Sequence, residues 1–177
     1  MSTPKTVYQL KVTLDNSKSP IWRRILVPDD ITLADLHEII QRAMGWENYH
    51  LHMFTIGGQV FGDPEDDEMG EIGTVNEKRH RLNQLGLREK AKFSYEYDFG
   101  DSWDHTILLE KILPGEKGAQ YPVCIKGKRT CPPEDVGASG VMMNSSKFWL
   151  IPIIKSMIIM WSGAAAISTL MNSTWMR

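Results

Sequence analysis

Residues 8–45 read YQLKVTLDNSKSPIWRRILVPDDITLADLHEIIQRAMG and contain two different hydrophobic periods. Apolar and polar residues alternate from Tyr8 to Leu14 and again from Ile21 to Val27, with the turn-forming segment 15–20 between them. Because successive side chains of a strand point to opposite faces, this alternation around a turn predicts two strands joined as a hairpin.

A helix is predicted to follow this hairpin. Thr32 precedes Asp35 by three positions, which is the spacing of a capping box at a helix start. The apolar residues that follow have helical spacing and stop at Gly45; they are Leu33, Leu36, Ile40 and Met44. The opening unit is therefore strand, strand, helix.

Two further hairpins follow. Residues 50–61 predict short strands around a Gly-Gly turn, and residues 93–99 alternate up to a Gly-Asp turn before 103–109 runs back. We therefore predict an α+β fold, a β-grasp or ubiquitin-like roll, in which a mixed sheet built from hairpins packs on one main helix. We expect one domain at 6–140 and an atypical tail at 141–177.

The net charge disfavours general nucleic-acid binding. All 22 acidic residues lie at or before Asp135, against 17 basic residues in positions 1–140, so this part carries a charge of −5. A duplex-binding surface needs a basic face against the phosphates. A local patch stays possible, because Lys126, Lys128 and Arg129 form a basic cluster that could pair with a phosphate, although short basic runs are usually plain surface.

The sequence also suggests a cellular location. Segment 1–6 is short and polar and has no apolar core that could serve as a signal peptide. Two cysteines, Cys124 and Cys131, are too few for a disulfide-rich secreted scaffold. We expect a cytoplasmic protein.

Four residues form a candidate metal site. Asp101 and His105 lie at one predicted hairpin tip, and Cys124 and Cys131 follow in a Gly-containing loop. Imidazole and thiolate ligands suit Zn²⁺, so a zinc site is chemically possible, although zinc ribbons and fingers usually space their cysteines more closely. The plainer alternative is that the aspartate makes the turn and that the thiols are small buried hydrophobes.

Four more residues are candidates for binding. His50 and His52 are two positions apart, so on a strand they would share a face, where they could bind a metal or act as general acid and base near neutral pH. Asp98 and Trp103 lie at the same hairpin tip as the metal candidates. The alternative is that the histidines are ordinary half-buried residues beside Phe54 and that the tryptophan is core.

An ordered series of motifs resembles the plasmid pRiA-type ORF-three family. The motifs are YQLKV (8–12), PIWRR (20–24), TLADLH (32–37), HLHMF (50–54), YDFGDSWDH (97–105) and CPPED (131–135). The resemblance covers about residues 6–140. It implies a shared fold and a plasmid or insertion-sequence neighbourhood, where relatives are sometimes labelled resolvase-like, and it implies no particular chemistry.

The composition changes abruptly after residue 140. Residues 141–177 contain no acidic residue but six of the ten methionines and three of the six tryptophans. A membrane anchor at Phe148–Met171 would be long enough, but Pro152 and Lys155 interrupt it. Read one base earlier, the codons permit acidic strings that resemble the usual C-terminal end of the family. We therefore predict a frameshifted tail whose exposed apolar residues promote self-association, and no membrane segment.

The sequence lacks the familiar catalytic motifs. It has no phosphate-cradling loop, no nucleophile elbow and no His-Glu-x-x-His. We therefore expect a non-enzymatic module that binds a protein or small ligand through a surface around Trp103, His105 and residues 124–131. The alternatives are a zinc-binding domain or metal-dependent enzyme that uses the four metal candidates and, more weakly, a DNA-binding accessory protein.

Overall fold

A computed structural model describes residues 5–67, 70 and 73–134. Within them lie one α-helix, α1 (Leu33–Met44), and eight strands. The strands are β1 (Thr6–Leu14), β2 (Ile21–Pro28), β3 (His52–Ile56), β4 (Gln59–Gly62), β5 (Val75–Asn76), β6 (Lys92–Tyr97), β7 (Trp103–Pro114) and β8 (Val123–Lys128). Short 3-10 turns occur at Pro64–Asp66, Glu77–Arg79 and Leu82–Gln84.

All eight strands form a single sheet in the order β5-β4-β3-β6-β7-β1-β2-β8. Every pairing is antiparallel except the short parallel contact of β4 with β5. The predicted α+β class, with one main helix and a mixed sheet, is confirmed. The finer β-grasp topology stays a prediction.

The three predicted hairpins are confirmed as β1–β2, β3–β4 and β6–β7. The predicted helix is confirmed at both ends. The side chains of Thr32 and Asp35 form the capping box, and Gly45 ends the helix in the left-handed conformation (φ 91°) that favours glycine.

The loop predicted at 124–131 needs correction. Cys124, Lys126 and Lys128 lie on β8, which pairs with β2 as an edge strand. The sequence signal was weak because Gly127 interrupts the strand and charged residues, which are common on edge strands, hide its alternation. The predicted tail, 141–177, lies outside the described residues.

The core lies between α1 and one face of the sheet. The buried side chains of the helix and those of β1, β2, β3, β6 and β7 form one continuous apolar cluster. The opposite face of the sheet, called here the outer face, carries the alternate residues of each strand, which are partly or fully exposed. This division puts the helix-facing side chains in the core and leaves the outer face uncovered within the described chain.

Arg23 fastens the end of α1 to the sheet. Its Nε donates to the carbonyl of Ala43 at 2.8 Å, and its Nη1 donates to the carbonyl of Arg129 at 2.8 Å. The last carbonyls of a helix have no partner within the helix, so the first contact satisfies one of them. Gly127 makes room for this side chain, because a Cβ there would lie 2.9 Å from Arg23 Cδ and 3.1 Å from the carbonyl oxygen of Trp22.

Gly127→Ala is therefore expected to destabilise the protein by about 1 to 3 kcal/mol, the usual cost of forcing extra volume into a packed site. Urea unfolding measures the change. Lys126→Ala, one residue away on the outer face, is the matched control and should change the unfolding free energy by less than about 0.5 kcal/mol. Equal effects of the two substitutions would contradict the close packing of Arg23.

Candidate binding site

Two adjacent loops form the candidate site at the end of the β3–β6 pair. One is residues 45–51, between α1 and β3, and the other is residues 98–102, between β6 and β7. The amide of Asp98 donates to the carbonyl of Leu51 at 2.9 Å, and the hydroxyl of Tyr97 accepts from the amide of Tyr49 at 3.0 Å. These bonds hold the two loops against each other.

Three residues of these loops adopt the left-handed conformation although none is glycine. They are Asn48 (φ 63°), Asp98 (φ 58°) and Ser102 (φ 49°). Asparagine and aspartate tolerate this region better than most residues, and strained backbone occurs preferentially at functional sites. The chain accepts this cost in order to form these two loops.

His50 and Asp98 meet between the loops. Asp98 Oδ1 accepts from the amide of Gly100 at 3.0 Å and so holds the turn, while its Oδ2 lies 3.6 Å from His50 Nε2. The side chain of Asp98 is 11% exposed and that of His50 is 28% exposed. The two side chains are therefore partly buried, and His50 Nε2 itself is covered.

His52 points into the protein, away from His50. Its ring stacks on that of His37 from α1, with centroids 3.4 Å apart and planes 4° apart, and its Nε2 lies 2.9 Å from Glu77 Oε2. Glu77 is nearly fully buried. The 3-10 turn that begins at Glu77 lies near the start of α1, because the amide of Leu33 donates to the carbonyl of His80 at 3.0 Å.

The hydrogen bonds of His37 assign its protonation. Its Nε2 lies 2.7 Å from Asn48 Oδ1 and its Nδ1 lies 2.8 Å from the hydroxyl of Tyr95, which accepts from Gln41 Nε2 at 2.8 Å. The neutral tautomer with hydrogen on Nε2 satisfies all three contacts. Burial, together with the neighbouring His52, lowers the pKa of His37 to about 3.

Burial has the corresponding effect on the tyrosines. It holds the pKa of Tyr95 well above the ordinary value, and burial together with the bond to Glu134 raises that of Tyr97. The interior of the site is therefore a neutral hydrogen-bonded network apart from the Glu77 contact. This network positions the loops, and the side chains of His37 and Tyr95 within it are buried.

The end of the described chain closes one side of the site. Tyr97 donates its hydroxyl hydrogen to a Glu134 carboxylate oxygen, and the other oxygen accepts from the amide of Glu47 at 2.8 Å. Trp46 Nε1 donates to the carbonyl of Pro132 at 2.9 Å. Two carboxylates, Glu47 and Glu134, thus lie beside the loops.

Three apolar side chains of the loops are exposed. Tyr49 is 71% exposed, Leu51 46% and Phe99 42%. We call these three residues the aromatic rim. The other large exposed apolar residues in the described chain, Ile112 and Ile125, lie on strands β7 and β8.

The predicted surface around Trp103 and His105 needs correction, because both residues are fully buried. They alternate on the helix-facing side of β7, and their rings pack near Trp46. The ring nitrogens of His105 are buried without a hydrogen bond of good geometry in the described part of the chain, although backbone groups of Trp103 and Tyr95 lie close enough to interact with the ring. Burial lowers the pKa of His105 to about 4, against an opposing effect of the Trp103 and Tyr95 backbone.

The four metal candidates are not brought together. Cys131 is buried with its Sγ 3.2 Å from Met44 Sδ, and burial raises its pKa to about 11. Cys124 lies on β8, while Asp101 lies in the β6–β7 turn. Among residues 5–67, 70 and 73–134, no three His, Cys, Asp or Glu side chains are arranged to hold a metal ion.

The basic candidates lie away from the loops. Lys126 and Lys128 are exposed on the outer face of β8, and Arg129 Nη1 donates to the carbonyl of Pro20 at 3.1 Å. Of the predicted residues, His50 and Asp98 thus meet at the site, His52 belongs to the buried network beneath it, and Asp101 lies in its second loop.

Sequence reasoning missed several residues of the network. His37 gave a signal, because it interrupts the apolar stripe of α1 on the buried side. Glu77 and Glu134 gave none, because each lies in a loop far along the chain from its partner. No helix in the described ranges is long and apolar enough to cross a membrane.

The fold and site define an α+β protein with one helix on a large sheet and a histidine-containing polar network beneath two exposed loops. The chain belongs to the plasmid pRiA4b ORF-3-like protein family, whose profile matches residues 6–147. The family inferred from the sequence motifs is confirmed.

Two relatives show how far the similarity extends. The uncharacterised protein y4hQ of Sinorhizobium fredii (strain NBRC 101917 / NGR234) is 43% identical over 133 residues, which are 75% of this chain and 67% of that protein. The crystal structure of MM3350, a protein of unknown function from Methanosarcina mazei Go1, matches with a TM-score of 0.69 and 41% identity over 77% of each chain. Neither description states a ligand, so function has to be argued from the site.

Burial of His105 predicts a stability that depends on pH. Because its folded pKa of about 4 lies below the ordinary value of 6.5, the unfolded chain binds the proton first as the pH falls. The contribution of neutral His105 to the free energy of unfolding is complete above about pH 6.5. It is lost as the pH falls towards 4, at about 1.4 kcal/mol per pH unit. When the pH falls from 7 to 5, the free energy of unfolding of the His105→Phe variant should therefore decrease by about 2 kcal/mol less than that of the wild type.

Urea unfolding at the two pH values measures this difference. His80→Gln, at a half-buried histidine whose Nδ1 lies 2.9 Å from the carbonyl of Asn76, is the control for loss of a histidine and should keep the wild-type pH dependence. A wild-type pH dependence in His105→Phe would show that His105 is not held neutral by burial.

Proposed function

We propose that this protein is a non-enzymatic binding module whose aromatic rim is the contact surface for a protein segment that carries both basic and apolar side chains. The observation that carries the proposal is the exposure of Tyr49, Leu51 and Phe99 on two loops that the buried network fixes. Exposed apolar side chains that gather in one place, with polar groups around them, are typical of interaction sites.

The loops are ordered before any partner arrives. The hydroxyl of Tyr97 and the backbone of Leu51 bond both loops, and Asp98 fixes the second turn through its own carboxylate. Binding to a surface that is already ordered avoids part of the conformational entropy cost of association. The left-handed residues on both loops support the same interpretation, because strain of this kind persists where a function requires it.

Charge selects the class of partner. Glu47, Glu134 and Asp98 place carboxylates beside the rim, and His50 is the basic side chain paired among them. A cationic side chain would be attracted to these carboxylates and to the faces of Tyr49 and Phe99. A segment with Arg or Lys next to Leu or Ile therefore complements this surface.

The other predicted functions have less support. The zinc or metal-enzyme alternative would need Asp101, His105, Cys124 and Cys131 to converge, and no ligand set is assembled from the described residues. His50 and Asp98 form a carboxylate–histidine pair, which by itself does not make a catalytic site. The cytoplasmic location, the link to mobile elements and self-association through the tail stay predictions.

The proposal predicts binding of a fluorescein-labelled peptide of alternating arginine and leucine, measured by fluorescence anisotropy. A double variant, Leu51→Ser with Phe99→Ser, should weaken binding at least about tenfold, which corresponds to about 1.4 kcal/mol. This is a modest share of the free energy expected from the apolar area that the two substitutions remove. A peptide of alternating aspartate and leucine should not bind, because its charge has the wrong sign.

The matched control is Ile112→Ser with Ile125→Ser, which removes two exposed apolar side chains elsewhere on the protein. It should leave peptide binding unchanged, and thermal melting of both double variants checks that they are folded. Equal weakening by the two double variants, or binding of the acidic peptide, would overturn the proposal.

A further inference from the structure

The register of the sheet aligns basic side chains in one row across its outer face. Lys11 on β1 lies directly opposite Arg24 on β2, and Arg24 lies directly opposite Lys126 on β8. On the other side, Lys11 is opposite Leu108 on β7, and Leu108 is opposite Lys92 on β6. The cationic row is therefore Lys92, Leu108, Lys11, Arg24 and Lys126.

This arrangement is costly for the sheet alone. Like charges directly opposite each other on neighbouring strands destabilise the pairing. Glu110 offsets part of this cost by accepting from Arg24 Nε at 2.5 Å and from Arg24 Nη2 at 2.7 Å. Glu110 also interacts with Lys11. One carboxylate cannot balance Lys92, Lys11, Arg24 and Lys126, so the row carries a net positive charge that sheet pairing does not explain.

Neighbouring groups keep the row in place and extend it. The ring centroid of Trp22 lies 5.3 Å from Lys11 Nζ and 5.2 Å from Arg24 Cζ, which holds both cations over one aromatic ring. Lys128 on β8 lies opposite Trp22 and adds a cation at one end of the row. The row spans four strand spacings, or roughly 19 Å.

A cavity of about 450 Å³ opens beside the row. It is lined by Gln9, Arg24, Lys90, Leu108, Glu110 and Lys111. It is shallow and open to solvent, as a surface that a nucleic-acid strand crosses would be. Leu108 offers an apolar surface on which a planar base could pack. Beside it, Gln9 Nε2 donates to Glu110 Oε2 at 2.7 Å and both Glu110 oxygens accept from Arg24, so a base would contact a polar cluster that is already bonded.

We propose that the cationic row and this cavity form a binding site for single-stranded nucleic acid, on a surface separate from the aromatic rim. A positively charged groove that follows one backbone, beside surfaces that accept bases, is the usual design of such sites. One straight row can follow one phosphate backbone, whereas a duplex presents two backbones separated by a groove roughly 6 to 12 Å wide.

The negative net charge of the chain does not oppose this site directly. Besides Glu110, whose charge is paired with Arg24 of the row, the outer face carries Glu96 and Asp104, which lie opposite each other four residues along β7 from Leu108. Four residues of a strand span roughly 13 Å. That distance exceeds the Debye length of about 8 Å at physiological salt, so these carboxylates are largely screened from the row.

The test measures binding of a fluorescein-labelled 20-nucleotide oligothymidylate by fluorescence anisotropy between 50 and 200 mM salt. If about three phosphates are neutralised, the slope of log affinity against log salt should be about −2. Lys11→Gln with Lys126→Gln should weaken binding at least about tenfold and bring the slope about 1.4 closer to zero, because two phosphate contacts are lost.

The matched control removes two cations elsewhere, Arg42→Gln on α1 and Lys117→Gln in the β7–β8 loop. This control should keep the slope and stay within about twofold of the wild-type affinity, which separates the row from total charge. Thermal melting confirms that both double variants are folded. Absence of salt-dependent binding by the wild type, or equal losses in the two double variants, would overturn the proposal.

A heparin fragment of matched charge serves as a polyanion without bases. The proposal expects the oligothymidylate to bind more tightly than heparin at equal salt, because bases enter the cavity beside Leu108. Leu108→Asp should therefore weaken the oligonucleotide more than heparin. Heparin binding that is as tight as, or tighter than, that of the oligonucleotide would show that the row recognises charge alone and would refute the nucleic-acid assignment.

Discussion

In the described part of the chain one α-helix has to cover one face of a wide sheet, and the rest of the described structure depends on this constraint. The 12 residues of α1 span about 18 Å, whereas eight strands extend over about 34 Å. The helix therefore packs against part of one face and buries the core there. The outer face of the described chain carries mainly polar and charged side chains, with Trp22 and Leu108 among them, and the loops at the end of the sheet reach solvent beside the helix.

The buried polar network links this packing to the candidate site. A sheet and a helix held by apolar contacts alone could slide, but His37 and Gln41 bond Tyr95 of the central strand β6 in defined directions. The same histidine bonds Asn48, which belongs to the first loop of the site. Directed hydrogen bonds between buried groups favour one arrangement over others, so the network that positions the helix also positions the loops, although Gln41 Oε1 has no partner among the described residues.

The parts of the structure that depend on local pattern could be predicted from the sequence. The hairpins, the capping box at Thr32 and the helix end at Gly45 follow from neighbouring residues, and all were predicted. Pairings between distant segments could not be, because nothing local shows that Glu77 meets His52 or that β8 pairs with β2. Burial was left open where aromatic residues lie beside polar ones, as at Trp103, which was weighed both as surface and as core and is core in the structure.

Hydroxyl-radical footprinting of the full chain, read residue by residue with mass spectrometry, tests most directly whether the helix covers only one face. The account predicts rapid oxidation of Tyr49 on the rim and measurable oxidation of Trp22 on the outer face, with Trp46 and Trp103 protected. Protection of Trp22 equal to that of Trp103 would show that the outer face is covered in the whole protein and would contradict the account.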